Sequence, residues 1–249
     1  VFEGLQEGCD TVIPICQPAS TDAMEFDDGK IIQCKLSAFE ELAFEKIKER
    51  VGLKSLAEHM DGAELMGFVD WALPPFSGEI WQGILREVVP MLSVESVCKV
   101  LFFDLADPAS RSEEDLKQVL NTIVRFAKHY KVVLGLNLSE AVQVAHAFGE
   151  TIEKNEENLR MLCEVIMSNM DIDTLVIHPV KCSCCMSSGE YYEQEGPYCE
   201  HPKLTTGAGD NFNAGFILSH VLGLDMDSCL LMGMVNSGFY VRNGRSGSL

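Results

Sequence analysis

Beyond residue 97 the chain alternates short apolar runs with stretches whose apolar residues recur every third or fourth position. Residues 97–103, 132–136 and Thr174–Ile177 have the length and composition of buried strands, and Cys182–Ser187 is a further candidate. Between them, Leu116, Leu120, Ile123, Val124 and Ala127 share one face of a predicted helix that Ser112 caps. Ala141, Val142, Ala145 and Phe148 mark a second helix, and residues 158–167 a third. Two more are predicted over residues 210–222 and 227–240. Strand–helix alternation predicts an α/β fold with a mostly parallel central sheet and helices on both faces, in which ligands bind at the carboxyl ends of strands.

The part before residue 97 is less regular. Residues 1–30 are rich in Gly, Pro, Asp and Thr and read as loops with short strands, followed by a weak strand over 30–36. Ser37 is expected to N-cap a helix carrying Phe39, Leu42, Ala43 and Ile47, with Glu40 completing a capping box. Helix is expected again over 53–60 and strand over 63–69. Pro74-Pro75 breaks the pattern, and Ser77 is placed as the cap of a helix reaching Val89.

The densest chemical signal is the run Thr205-Thr206-Gly207-Ala208-Gly209-Asp210-Asn211-Phe212-Asn213-Ala214-Gly215-Phe216. A glycine turn leads directly into an apolar helix. Gly207 and Gly209 let backbone N–H groups crowd an anion without Cβ interference, and the helix start adds free N–H groups and partial positive charge. Asp210 places a carboxylate there, where a phosphoryl donor needs a cradle and an alcohol acceptor needs a base. Two other polar landmarks fall at predicted strand ends: Asp104, and Asn137-Leu138-Ser139-Glu140 at the start of a helix.

These motifs resemble those of the ribokinase-like, or PfkB, carbohydrate kinases. The resemblance covers roughly residue 97 to the C-terminus and implies a single ribokinase-like three-layer domain over residues 1–249. It implies that Asp210 takes the proton from the acceptor hydroxyl, and that Gly207, Ala208 and Gly209 form the anion hole. Thr206 and Asn137 would contact the nucleotide, Asn236 would lie near the adenine, and Glu140 would order Mg²⁺ and the phosphates through water. ATP and Mg²⁺ are the implied cofactors, and Asp104 would lie near the crevice.

Two departures stand out. Leu204 replaces the Asp that usually precedes the two threonines, which puts monovalent-cation activation in doubt, and Ile177-His178-Pro179 replaces the usual T-x-G. The family's two-glycine substrate motif is not found, and an N-terminal portion with part of a small lid is expected to be lacking. Residues 1–36, including the segment 20–30, are the candidate lid or substrate-side segment. Asp70 and Trp71, at a predicted strand end, are the candidate sugar contacts: a carboxylate for hydroxyls and an aromatic face for stacking.

The hydrophobic share of 47% and charged share of 23% are ordinary for a globular chain, and its 249 residues are enough for one good core. The net charge of −19 argues against nucleic acid and against an anionic membrane surface as partners. Neither a signal peptide nor a membrane-spanning run is seen. Ten cysteines in a core-rich chain of this length do not read as a disulfide framework, so a reducing cytoplasm is expected. Cys98 and Cys163 read as core residues. Cys182-Ser183-Cys184-Cys185, with Cys199, His178 and His201, offers zinc-ligand residue types, but the spacing is not the usual one and alternating strand positions face opposite ways, so a reduced strand is expected there.

The partners expected are ATP and a sugar-like small molecule, with a homodimer as an option. Nucleosides, fructose-type sugars, sugar acids and vitamin alcohols all stay open as acceptors, as does an ADP donor. A non-catalytic sugar or nucleotide sensor of the same fold is the alternative reading.

Overall fold

The computed structural model describes residues 8–26, 29–93 and 99–247. The first two residues of the strand predicted over 97–103, and with them Cys98, lie outside the described residues, as do Asp27 and Asp28 of the candidate lid segment. The chain divides into two compact units, one made of residues 1–62 and 72–93, the other of 63–71 and 94–249.

In the first unit, β1 (Ser20–Phe26) and β2 (Gly29–Lys35) form an antiparallel hairpin that pairs Ser20 with Lys35 and Phe26 with Gly29. The helix expected from Ser37 is instead a 3₁₀ turn over Ser37–Glu41. Leu36 holds the N-cap position with no side-chain cap bond, so the capping box does not form. The chain extends at Ala43 (φ −122°, ψ 161°) before α1 (Phe44–Arg50) begins, which splits the apolar pattern between two elements. Phe44, 2% exposed, is the anchor of this unit, and its ring occupies the space that a Cβ on Gly83 would need. α2 (Leu53–Gly62) and α3 (Ser77–Gly83) follow, and α3 continues through a π turn (Ile84–Val88) into a 3₁₀ turn (Val89–Met91). Ser77 lies inside α3, and its hydroxyl donates to the Pro74 carbonyl.

The second unit is built on a six-stranded sheet. Its strands are β3 (Leu65–Phe68), β4 (Val100–Asp104), β5 (Lys131–Leu136), β6 (Thr174–Ile177), β7 (Cys182–Ser187) and β8 (Glu190–Glu195). They lie side by side in sequence order; the first four are parallel, and β7 and β8 add on antiparallel. Its helices are α4 (Glu113–Phe126), α5 (Leu138–Ala147), α6 (Leu159–Asn169), α7 (Ala208–Val221) and α8 (Met226–Asn243). Ser112 caps α4 as expected, its hydroxyl accepting from the Asp115 N–H.

The period-2 alternation of the strands sorts their side chains onto two faces. Val100, Phe102, Val133, Val176 and Cys185 point toward α7 and α8, where they meet Phe212, Phe216, Leu230 and Met234. Phe103 faces the other way and packs edge-on to Phe68 and against Phe126 of α4. Cys184 likewise faces Cys163 of α6, the two thiols sharing a hydrogen bond at 3.8 Å with no disulfide between them. Cys184 and Cys185 therefore serve opposite layers, and among the described residues no group of three or more His, Cys, Asp or Glu side chains could hold a metal. Strand β8 was not expected, yet its signal was present: Ser188 (φ 52°) and Gly189 (φ 80°) form a two-residue turn with both central φ values positive, as tight hairpins require. No helix of the described residues is long and apolar enough to cross a membrane.

Candidate active site

The carboxyl ends of β3, β4 and β5 present Asp70, Asp104 and Asn137 in turn, and His178 follows β6. Beside them α7 starts. Gly207 holds its N-cap position at φ 91°, a conformation that favours glycine. A Cβ there would also come within 2.9 Å of the Tyr240 hydroxyl, which donates to the Thr206 carbonyl at 2.7 Å and pins the turn. The first intrahelical bond runs from Asn211 N–H to Gly207 O. Ala208, Gly209 and Asp210 therefore carry the amides that a helix start leaves unused. Of these, Ala208 N–H already donates to the Thr205 carbonyl at 3.1 Å, so Gly209 and Asp210 are the better placed anion donors. The Asp210 carboxylate is exposed in this first turn.

Asn137 caps α5 with a full capping box. Its Oδ1 accepts from Glu140 N–H, while its own N–H donates to Glu140 Oε2 at 2.9 Å and its Nδ2 donates to Oε1. Glu140 is only 7% exposed. Burial, with Asp104 and Asp107 adding their repulsion, pushes its carboxyl up to about 8, against the Asn137 N–H bond that favours the charged form. Asp104 is also raised, by burial first and then by Asp210, against hydrogen bonds from Ala106 N–H and Asn213.

A cavity of 310 Å³ opens beside this cradle, large enough for a small-molecule ligand. Its wall includes His178, Pro179, Val180, Tyr198 and Met234, and it reaches Asn137, Ala208 and Gly209. The His178 ring stacks on Phe212 with centroids 4.8 Å apart. Burial drives its imidazole down to about 4, so it is neutral at pH 7. A depressed folded-state value means stability that is present above the usual pH of about 6.5 and lost as pH falls toward about 4. The unfolding free energy of the natural protein is accordingly expected to drop more steeply over that window than that of His178→Gln, by up to roughly a few kcal/mol at pH 4. Parallel pH profiles for the two proteins would contradict this.

The other residues anticipated from sequence sit as follows. Asn236 does not line the cavity, whereas its neighbours Ser237 and Gly238 do. Asn236 instead donates Nδ2 to the Asn211 carbonyl at 2.6 Å, tying α8 to α7. Asp70 takes a left-handed conformation (φ 58°) at the end of β3. Trp71 is 2% exposed, and the Arg111 guanidinium lies over its ring at 5.3 Å, so that face is occupied by packing. Sequence reasoning missed Tyr240 and Asn213. Asn213 carried a usable signal, since it lies three residues after Asp210 and hence on the same helix face.

The sheet order, the helices on both faces and the glycine turn opening α7 define a ribokinase-like fold. An adenosine kinase from Schistosoma mansoni, solved with 2-fluoroadenosine, superposes with a TM-score of 0.69 at 20% identity, covering 93% of this chain and 64% of that one. A putative ribokinase from E. coli superposes with a TM-score of 0.65 at 14% identity, covering 94% of this chain and 67% of that one. The chain belongs to the prokaryotic ketohexokinase family, whose model matches residues 6–249. A ketohexokinase from Haloferax volcanii is 29% identical over 228 residues, which make up 91% of this chain. The chain spans 59% of that relative's length.

Proposed function

We propose that the protein transfers the γ-phosphoryl group of ATP to a hydroxyl of a ketohexose. The observation that carries this reading is Asp210 in the first turn of α7, next to the unused amides of the helix start and beside the 310 Å³ cavity. Asp210 takes the proton of the acceptor hydroxyl as its oxygen bonds to phosphorus and the bond to the departing ADP oxygen breaks. The Gly209 and Asp210 N–H groups stabilise charge on the transferring phosphoryl. His178, Pro179 and Tyr198 enclose the base, and Thr206 and Asn137 face the phosphates. The raised carboxyl of Glu140 fits a cation held through water, because both of its oxygens already accept from Asn137. Bound Mg²⁺ would supply neutralising charge for the donor's phosphates.

A ketohexose is favoured over a nucleoside because the family is that of ketohexokinases. Asp70 stands at the same sheet edge as a candidate sugar contact. The cytoplasm suits an ATP-consuming protein whose described cysteines are all unpaired. The test is ATP consumption by the full-length protein with fructose and other ketohexoses, beside aldoses, sugar acids and nucleosides. Turnover confined to ketohexoses is the expected result. Tight ligand binding without turnover would favour a sensor.

A further inference from the structure

We propose that Asp104 is a positioning residue for phosphoryl transfer: its carboxylate ties the loop after β4 to α7 and so fixes where Asp210 points. This inference rests on the kinase reading. One oxygen, Oδ2, accepts from Asn213 Nδ2 at 2.7 Å. The other, Oδ1, accepts from Ala106 N–H at 2.7 Å and holds Ala106 in a left-handed conformation (φ 56°). A non-glycine residue there is strained and persists only where its surroundings dictate it. Asn213 lies three residues beyond Asp210 on the same helix face, so a tether at Asn213 sets the rotation of the first turns of α7 about the helix axis.

Asn213 is 5% exposed, and its Oδ1 is buried without a hydrogen-bond partner. That cost is accepted because the reverse amide orientation would set Oδ1 against the Asp104 carboxylate. Room for the buried oxygen comes from Gly135, which pairs with Asp104 in the sheet. A Cβ on Gly135 would lie 3.1 Å from Asn213 Oδ1. Two adjacent strand ends and one helix face thus meet at this hydrogen bond, with the Phe102 ring filling the space beside Gly135 as well. A neutral amide at position 104 could accept only one of these two bonds, because its other terminal atom is itself a donor. A half-buried carboxylate that accepts on both oxygens fits a group that must hold its partners firmly, since bonds to ionised acceptors are the stronger ones.

The test uses the full-length protein, with wild-type turnover as reference, and compares Asp104→Asn, Asp104→Glu and the reciprocal exchange Asp104→Asn with Asn213→Asp. Asp104→Glu keeps the charge but shifts the tether by a methylene. Both single variants are expected to lose about 10²-fold in kcat, the cost of a misplacement near 1 Å, with KM for ATP little changed. The exchange restores the bond with its polarity reversed and is expected to recover most of the lost kcat. Amide exchange over residues 211–214, the first hydrogen-bonded amides of α7, should quicken in the single variants and slow again in the exchange, a readout independent of activity. If Asp104→Asn does not fold, Asp104→Glu and the exchange decide. Full activity in Asp104→Glu would overturn the proposal. So would an exchange variant that folds, stays inactive and needs more Mg²⁺, because the charge itself would then be what the reaction uses. Absent turnover in the wild type would count against the kinase reading, and the tether would then stand or fall on amide exchange alone.

Discussion

Asp210→Ala is expected to lower kcat by about 10²–10⁴-fold, the usual contribution of a positioned general base. The carboxylate projects from the first turn of α7, and no neighbouring group is placed to replace it. Asp104 is half-buried and committed to Ala106 and Asn213, and Glu140 to Asn137. ATP binding should survive, because the cavity wall and the Gly209 amide remain. Removing an exposed side chain from a helix start should also leave the unfolding midpoint close to that of the wild type. Steady-state kinetics with a ketohexose and calorimetry with a nonhydrolysable ATP analogue separate the two effects. A variant within about tenfold of wild-type kcat would remove Asp210 from the role of base.

The second large effect concerns stability. Helices α7 and α8 cross at Gly215 and Gly233, and a Cβ on Gly215 would lie 2.6 Å from the Met232 carbonyl oxygen and 3.1 Å from Gly233 Cα. Both are backbone atoms, so no side chain can swing aside. The helices themselves would have to part. Gly215→Ala is therefore expected to cost at least the ~1–3 kcal/mol typical of overpacking, lowering Tm by several degrees. Gly62→Ala is the control, since nothing lies within 4 Å of its would-be Cβ. Equal midpoints for the two variants would show that the crossing can relax. The same separation would pull Asn236 from the Asn211 carbonyl, so activity should fall with stability.

The position of Asn236 explains why some sequence assignments did not match their surroundings. An Asn one helix beyond the glycine turn can face either the nucleotide or the adjoining helix, and a shift of one residue decides between them. Ser237 and Gly238 reach the cavity, while Asn236 ties α7 to α8. Trp71 is similar. Its place at a strand end suggested a stacking surface, but only the fold brings Arg111, forty residues later in the chain, over its ring. The failed cap at Ser37 is a local miss: apolar spacing ran across a point where the backbone extends, and spacing alone does not register an extended residue.

Much of the second unit was legible because its signals are local. Apolar runs of strand length, the Ser112 cap, the helix start at Asn137 and the glycine turn before α7 each depend on residues within four positions of one another. Backbone geometry and nearest-neighbour hydrogen bonds act over that range, so the sequence alone determined a mostly parallel α/β sheet and a glycine turn opening a helix that carries Asp210 in its first turn. Tertiary structure alone decided what depends on distance. It set Asp104 against Asn213 across more than a hundred residues, leaned Tyr240 onto Thr206, and buried Glu140 beside two other carboxylates until its acidity changed. Burial, repulsion between charges and the close approach of two helices are properties of the packed chain, and no window along the sequence contains them.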